Sequence, residues 1–263
     1  AYQRYADIAL AEAQARDAEI QLALERVRSV AMSMQKPDDL LDVCQTISEQ
    51  LEILNVNNIR NVQLAIINEE QKNYANYQYF TAYSKQVFEE PLYGSNPSAD
   101  GMVRAMQESA NSFFIGKIQD EELREFIEWR KKDNQFPDPL LEKSDVVYYY
   151  FYSIGKGGLG LTTYKEITKE SVEVFKRFHK VFTLAYRRFK DIQQALEQAR
   201  EAQIEAALER VRARAMAMHK ADELVEVTLL LRKEMGHLGI EELETSSIYI
   251  HNETIGKTEC WFS

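Results

Sequence analysis

At 263 residues the chain has room for one to two domains, and a net charge of −10, from 42 acidic and 32 basic residues, argues against nucleic acid as a partner. The only cysteines, Cys44 and Cys260, make no disulfide framework, CxxC or metal-ligand pair and fit a reducing cytoplasm. No apolar run approaches the roughly 20 residues that cross a bilayer, and the first residues read as an amphipathic helix rather than a signal peptide, so no membrane contact is expected in this segment.

Residues 2 to about 35 contain no Gly or Pro and predict one helix. In its second half Ile20, Leu24, Val27, Ala31 and Met34 recur at steps of four and three, the spacing of a coiled-coil seam. Pro37, Asp38 and Asp39 break that helix and start another. Its apolar face carries Leu40, Val43, Cys44, Ile47, Leu51 and Leu54, so Cys44 reads as a small core residue. Strands are predicted at 61–68 and 74–83, a loop at 94–101, a short helix at 100–109, a strand at 112–118, a helix at 121–132 and a loop at 134–139. The runs DVVYYYFYSI (145–154) and GLGLTTY (158–164) predict a hairpin around Gly155, Lys156 and Gly157. A last helix runs from near Thr168 to about Lys220, on the order of 75 Å, too long for one domain to bury. Along it Phe182, Ala185, Phe189, Ile192, Leu196 and Ala199 keep one heptad register, and Ile204, Leu208, Val211, Ala215 and Met218 keep another. One extra residue separates the two registers, which places a hinge, a phase shift or a weakly packed Ala-rich stretch in the linker.

The chain also repeats itself. AEIQLALERVRSVAMSMQKPDDL (Ala18–Leu40) returns about 184 residues later as AQIEAALERVRARAMAMHKADEL (Ala202–Leu224). The match extends backwards to AYQRYADI and AYRRFKDI, and forwards to NVQLAIINEE (Asn61–Glu70) and TSSIYIHNET (Thr245–Thr254). The expected organisation is a linker helix at 1–36, a complete sensor-like domain at 37–190, a coiled-coil linker at 191–220 and the opening of a second domain at 221–263. Ile248, Ile250 and Trp261 in that last segment are expected to lack full cover.

The order helix, two strands, helix, strand, helix, two strands, long helix predicts an α+β fold: an antiparallel sheet with helices on both faces, flanked by long coiled-coil helices. Residues from about Pro37 to Lys190 resemble a GAF domain, the small-molecule-sensing module of bacterial signalling proteins. The flanking ALERVRSVAMSM and ALERVRARAMAMHKADEL helices resemble linkers of tandem GAF-type sensors that carry a downstream output domain. The resemblance implies a sensory segment in a parallel homodimer, with an unknown small-molecule ligand and an unknown cofactor. It implies a dimer interface through the seam residues named above: Ile20, Leu24, Val27, Ala31 and Met34 in the first helix, and Phe189, Ile192, Leu196, Ile204, Leu208, Val211, Ala215 and Met218 in the last. A ligand-free dimerisation spacer is the alternative.

Candidate site residues come from the aromatic strand. Tyr148, Tyr150 and Tyr152 share one face, and Tyr149 and Phe151 the other. Either both sets are structural core, one under the terminal helices and one under the crossing helices, or the set facing the crossing helices lines a ligand pocket with Tyr83, Phe126 and Trp129. Tyr148, Tyr150 and Tyr152 are taken as that set. GKGGLG (155–160) lacks the GK[ST] ending of a phosphate loop and lies between strands, so it reads as a turn. His179, His219, His237 and His251 form no ligand pair, and RFHKVF around His179 lacks the context of a phosphoacceptor. The arginines at 26, 28, 210, 212 and 214 predict a solvated face of each linker or a surface for an acidic partner. The cysteines and charged patterns of known GAF chemistries have no counterpart here. No nucleophile with a base and no paired carboxylates stand out, so no enzymatic activity is expected.

Overall fold

The computed structural model describes residues 2–94, 96–240 and 242–263. The chain divides into two compact units, residues 1–189 and 190–263. The division falls inside one helix.

In the first unit, helix α1 (Tyr2–Met32) is followed by a 3-10 turn (Pro37–Asp39) and helix α2 (Leu40–Ile53). Strands β1 (Ile59–Asn68) and β2 (Asn73–Phe80) form a hairpin, and β3 (Lys85–Glu89) adds to its edge. Helix α3 (Pro97–Glu108), strand β4 (Phe113–Gln119) and helices α4 (Asp120–Lys132) and α5 (Pro139–Glu142) form the crossing segment. Strands β5 (Val146–Ser153) and β6 (Gly157–Thr163) complete a six-stranded sheet in the order β3-β2-β1-β6-β5-β4, antiparallel throughout. Helix α6 (Lys169–Met216), 48 residues long, leads into the second unit. The fold is therefore α+β. Beyond the predicted elements, β3 and α5 are additional, and residues 81–83 turn as a 3-10 segment instead of extending β2.

Local chemistry explains the starts and stops. Asn96 caps α3, accepting from the backbone N–H of Ser98 and Ala99, with Pro97 in the first turn. Helix α4 opens on Asp120, Glu121 and Glu122 and closes on Arg130, Lys131 and Lys132, each charge matched to its end of the helix dipole. Asp138 caps α5 through the N–H of Leu141 at 3.2 Å.

Alternation sends the sheet's side chains into two cores. On one face Val62, Leu64, Tyr77, Tyr79, Leu159 and Leu161 meet α2, the second half of α1 and the start of α6, where Phe175, Phe178 and Phe182 are fully buried. Helices α1 and α6 lie side by side here, joined by Asp17–Arg177 at 3.0 Å and Arg16–Glu170 at 3.5 Å. On the other face Ala65, Ile67, Tyr74, Val147 and Phe151 meet α3, α4 and α5. The glycines of GKGGLG belong to this arrangement. Gly155 turns the chain at φ +105, and a Cβ on Gly160 would sit 2.5 Å from the Phe151 ring that lies on it.

The first seam is used inside the chain. Ile20, Leu24, Val27, Ala31 and Met34, expected at an interface with a second chain, are buried in the unit's own core, because α2 and the sheet need a helix over that face. Phe189 is buried there too. Ile192, Leu196 and Leu208 are exposed, by 46%, 60% and 48%, whereas Ile204, Val211, Ala215 and Met218 are half-buried.

The second unit holds the rest of α6, a 3-10 turn (Ala221–Glu223), helix α7 (Leu224–His237) and the hairpin β7 (Ser247–Asn252) and β8 (Lys257–Phe262). Its boundaries follow the first unit at the 184-residue offset: α6 ends at Met216 as α1 ends at Met32, and α7 spans the counterparts of α2 residue for residue. Asn252 faces Lys257 across the turn as Asn68 faces Asn73. Even a side-chain bond recurs: Arg26 Nη1 donates to Gln50 Oε1 at 3.0 Å, and at the equivalent positions Arg210 grips Glu234 at 2.6 and 3.0 Å. The remaining linker arginines likewise pair within the chain, Arg28 with Glu25, Arg212 with Glu209 and Arg214 with Glu223 and Glu226. Ile248 and Trp261 are half-buried and Ile250 is 48% exposed. Among the described residues no helix is long and apolar enough to cross a membrane.

Candidate functional site

The face of the sheet under α3 and α4 is buried, yet it is polar. Strands β1 and β2 place Asn61, Gln63, Asn76 and Gln78 on it, each no more than 6% exposed. A bulge between Ile59 and Asn61 adds Arg60, 2% exposed, to the same side. Burying such groups is costly unless they are hydrogen-bonded, and most are. Asn61 Nδ2 donates to Gln78 Oε1 at 3.0 Å, Gln78 Nε2 to Glu89 Oε2 at 2.7 Å, Asn76 Nδ2 to Gln63 Oε1 at 3.3 Å and Gln63 Nε2 to Thr162 Oγ1 at 3.2 Å.

Arg60 anchors this network. Its Nε donates to Asp138 Oδ2 at 2.7 Å, and its Nη1 to Asn61 Oδ1 at 3.0 Å. The guanidinium carbon lies 5.1 Å from the centre of the Phe80 ring. Asp138 also accepts from Tyr83 at 2.9 Å and Tyr164 at 3.1 Å. Burial works to raise the Asp138 pKa, but Arg60, the Leu141 N–H and Tyr83 outweigh it and hold the carboxyl below its ordinary range.

Between this polar surface and α3, β4 and α4 lies a cavity of about 220 Å³. Its lining mixes apolar side chains, Met102, Phe114, Phe126, Trp129 and Phe151, with the polar Arg60, Gln63, Asn76, Arg130 and Tyr149 and with Lys117 and Glu122. Among the described residues three buried polar atoms have no hydrogen-bond partner: Arg60 Nη2, Asn76 Oδ1 and the Tyr149 hydroxyl. All three residues line this cavity.

Arg130 is the second buried cation, 7% exposed. Its Nη1 donates to Gln135 Oε1 at 2.9 Å and its Nη2 to the Phe136 carbonyl at 3.0 Å, both neutral acceptors. Burial presses its pKa down, the charge of Arg60 adds to that, and Glu89 opposes it. Burial likewise raises the Tyr149 pKa, so the phenol is a neutral hydrogen-bonding group at neutral pH.

Of the residues expected at a pocket, Phe126 and Trp129 line the cavity. Tyr83 lies one layer behind it, bonded to Asp138. Tyr148, Tyr150 and Tyr152 point to the opposite face: Tyr150 belongs to the terminal-helix core, with Tyr148 and Tyr152 packed against it. The strand's phase places Tyr149 and Phe151 at the cavity instead. His179 also lies on the terminal-helix side, its Nε2 2.7 Å from the Ser153 carbonyl and its ring against Tyr152. Burial lowers its pKa. Cys44 is buried, with Sγ 3.4 Å from the Tyr77 carbonyl, and burial pushes its thiol up, away from reactivity. Among the described residues no three His, Cys, Asp or Glu side chains gather as a metal site would require.

Sequence reasoning missed Arg60, Gln63, Asn76 and Arg130. In β1 and β2 a polar residue at every second position also describes a strand with one face in water. The bulge that turns Arg60 inward has no sequence marker. No known protein family matches the sequence, and no curated protein matches it.

Proposed function

We propose that the first unit is a GAF-like sensor domain that binds a small molecule in the cavity between the sheet and helices α3 and α4, in a segment that relays binding through α6 to a downstream output domain. The observation that carries this reading is that Arg60, Asn76 and Tyr149, each with an unpartnered buried polar atom, all line one cavity. A side chain buried without a partner lowers stability by roughly 1–3 kcal/mol, and a bound molecule that supplies the partners recovers it. The repeat supports a tandem array, since helix ends, turn and hairpin register recur at one offset. The exposed apolar side chains of Ile192, Leu196 and Leu208 support pairing of α6 with a second copy. A monomer at all concentrations in sedimentation would remove that part.

The binding test is thermal unfolding of the chain against a broad metabolite library. A ligand at 100 times its Kd stabilises the folded state by about 2.7 kcal/mol, and a flat response across the library would leave the domain as a dimerisation spacer. By linkage, a ligand that drives relay must bind the two states of the dimer with different affinity.

A further inference from the structure

We propose that the cavity recognises an organic carboxylate with a flat apolar body and one N–H or O–H donor, its charge met by Arg130 and its oxygens directed by Arg60 and Tyr149. This rests on the ligand-binding reading above and narrows it to a chemical class.

The charge argument starts from Arg130. Among the described residues it forms no ion pair, and its bonds go to an amide oxygen and a backbone carbonyl. Beyond burial, Arg60, of the same sign, lies close enough to press its pKa down, against Glu89 and Asp138. The carboxylates in the neighbourhood are committed elsewhere, Glu122 of the lining among them, which receives Ser98 Oγ at 2.9 Å. Asp138 receives Arg60 Nε, Tyr83, Tyr164 and the Leu141 N–H. Glu89 receives Gln78 and the Phe136 N–H. A buried cation with no ion-pair partner among the described residues is costly, and a ligand anion lowers that cost.

The geometry adds direction. Arg60 Nη2 and the Tyr149 hydroxyl are both donors to an oxygen, and a planar guanidinium suits a planar carboxylate. The Asn76 Oδ1 is an acceptor and requires a hydroxyl or amino group on the same molecule. Among these polar groups the rings of Phe126 and Trp129 on α4 and of Phe151 on β5 also line the cavity and offer apolar surface to a flat body. At about 220 Å³ the cavity is smaller than the roughly 300 Å³ at which drug-sized pockets begin, which selects a metabolite-sized ligand.

The experiment compares acids with their own amides on the full chain. The probes are 4-hydroxybenzoate, 4-hydroxyphenylacetate and phenylalanine, each with its primary amide, and inorganic phosphate as an anion without a body. Calorimetry and melting curves are read for the native chain and for Arg130→Gln. At least one acid should bind roughly 30-fold or more tightly than its amide, as expected for a buried charge partner. Arg130→Gln should abolish that preference and melt no lower than the native chain without ligand. Should Arg130→Gln not fold, the acid and amide affinities of the native chain decide. Amides that bind as well as the acids, a preference that survives Arg130→Gln, or binding of phosphate in place of the acids would each overturn the carboxylate assignment while leaving a small-molecule site. No binding by any probe overturns the assignment as well. Only a flat response to the broad library besides, with water as the partner of the three atoms, removes the ligand-binding reading.

Discussion

Tyr149 and Tyr150 are neighbours on one strand and share a chemistry, yet their hydroxyls differ. Tyr150 reaches into the terminal-helix core and accepts the Ile167 backbone N–H at 3.3 Å. Tyr149 reaches into the other layer, buried and without a partner. The difference holds for the whole sheet. One face is closed by phenylalanines of α6 against leucines and valines, and none of the unpartnered buried atoms found among the described residues lies in it. The opposite face carries Arg60 and a row of amides, which with Arg130 of α4 surround a cavity. The first face is built for stability, and the second buries polar groups that, on the proposal above, a ligand completes.

The largest effect expected on either face comes from the packed one. Phe178 is fully buried, and Phe178→Ala should cost about 3–5 kcal/mol in denaturant unfolding through lost burial and the cavity left behind. A loss under about 1 kcal/mol would show that this face is loosely packed and would erase the contrast. Next, on the polar face, Arg60→Gln leaves the Asp138 carboxylate buried without its cation. Breaking a buried pair in this way costs about 3–5 kcal/mol, and the three other donors to Asp138 should hold the loss near the lower end. An unchanged midpoint would mean that the pair does not organise the site.

The two faces should also separate by pH. His179, on the terminal-helix side, has its folded pKa lowered from 6.5 by burial. Its contribution to stability is therefore complete above about pH 6.5 and is lost as the pH falls through the lower folded value, where the unfolded chain takes up the proton first. Asp138, behind the cavity, has its folded pKa lowered from 3.8. Its contribution is complete above that value and lost only in stronger acid. Melting curves from pH 8 to 5 should show a decline that His179→Gln flattens and Arg60→Gln leaves in place.

How much of this could be read from residues differs between the faces in the same way. The apolar periodicity of α2 and the alternation Val62, Leu64, Ile66 fall on the packed face, because burial of apolar side chains is what periodicity reports, whereas Phe182, Ala185 and Phe189 of α6, read as a heptad seam, lie in the unit's own core. The hairpins and the start of α4 follow from local turn and charge chemistry. The polar face was hidden, since Gln63, Asn76 and Gln78 look like solvent-facing residues until α3 and α4 are seen to cover them. The aromatic strand predicted two sets of residues but not their direction, which only the register against β4 and β6 decides. The seam Ile20–Met34 shows the limit of heptad spacing: the same pattern serves a partner in another chain or a core in its own. In the second copy Leu208 is 48% exposed where Leu24 is 5% exposed, because α7 and a two-stranded hairpin cover less than α2 and a six-stranded sheet.

The smallest expected change is the most direct test of the claim that the polar face is built for a ligand. Tyr149→Phe removes an unpartnered hydroxyl, so urea unfolding of the ligand-free chain should show stability unchanged or raised by up to about 1 kcal/mol, while Tyr150→Phe on the packed face should lose about 0.5–1.5 kcal/mol. A loss in Tyr149→Phe equal to that in Tyr150→Phe would mean that its hydroxyl is already satisfied within the protein, and the account of the cavity as a binding site would be contradicted.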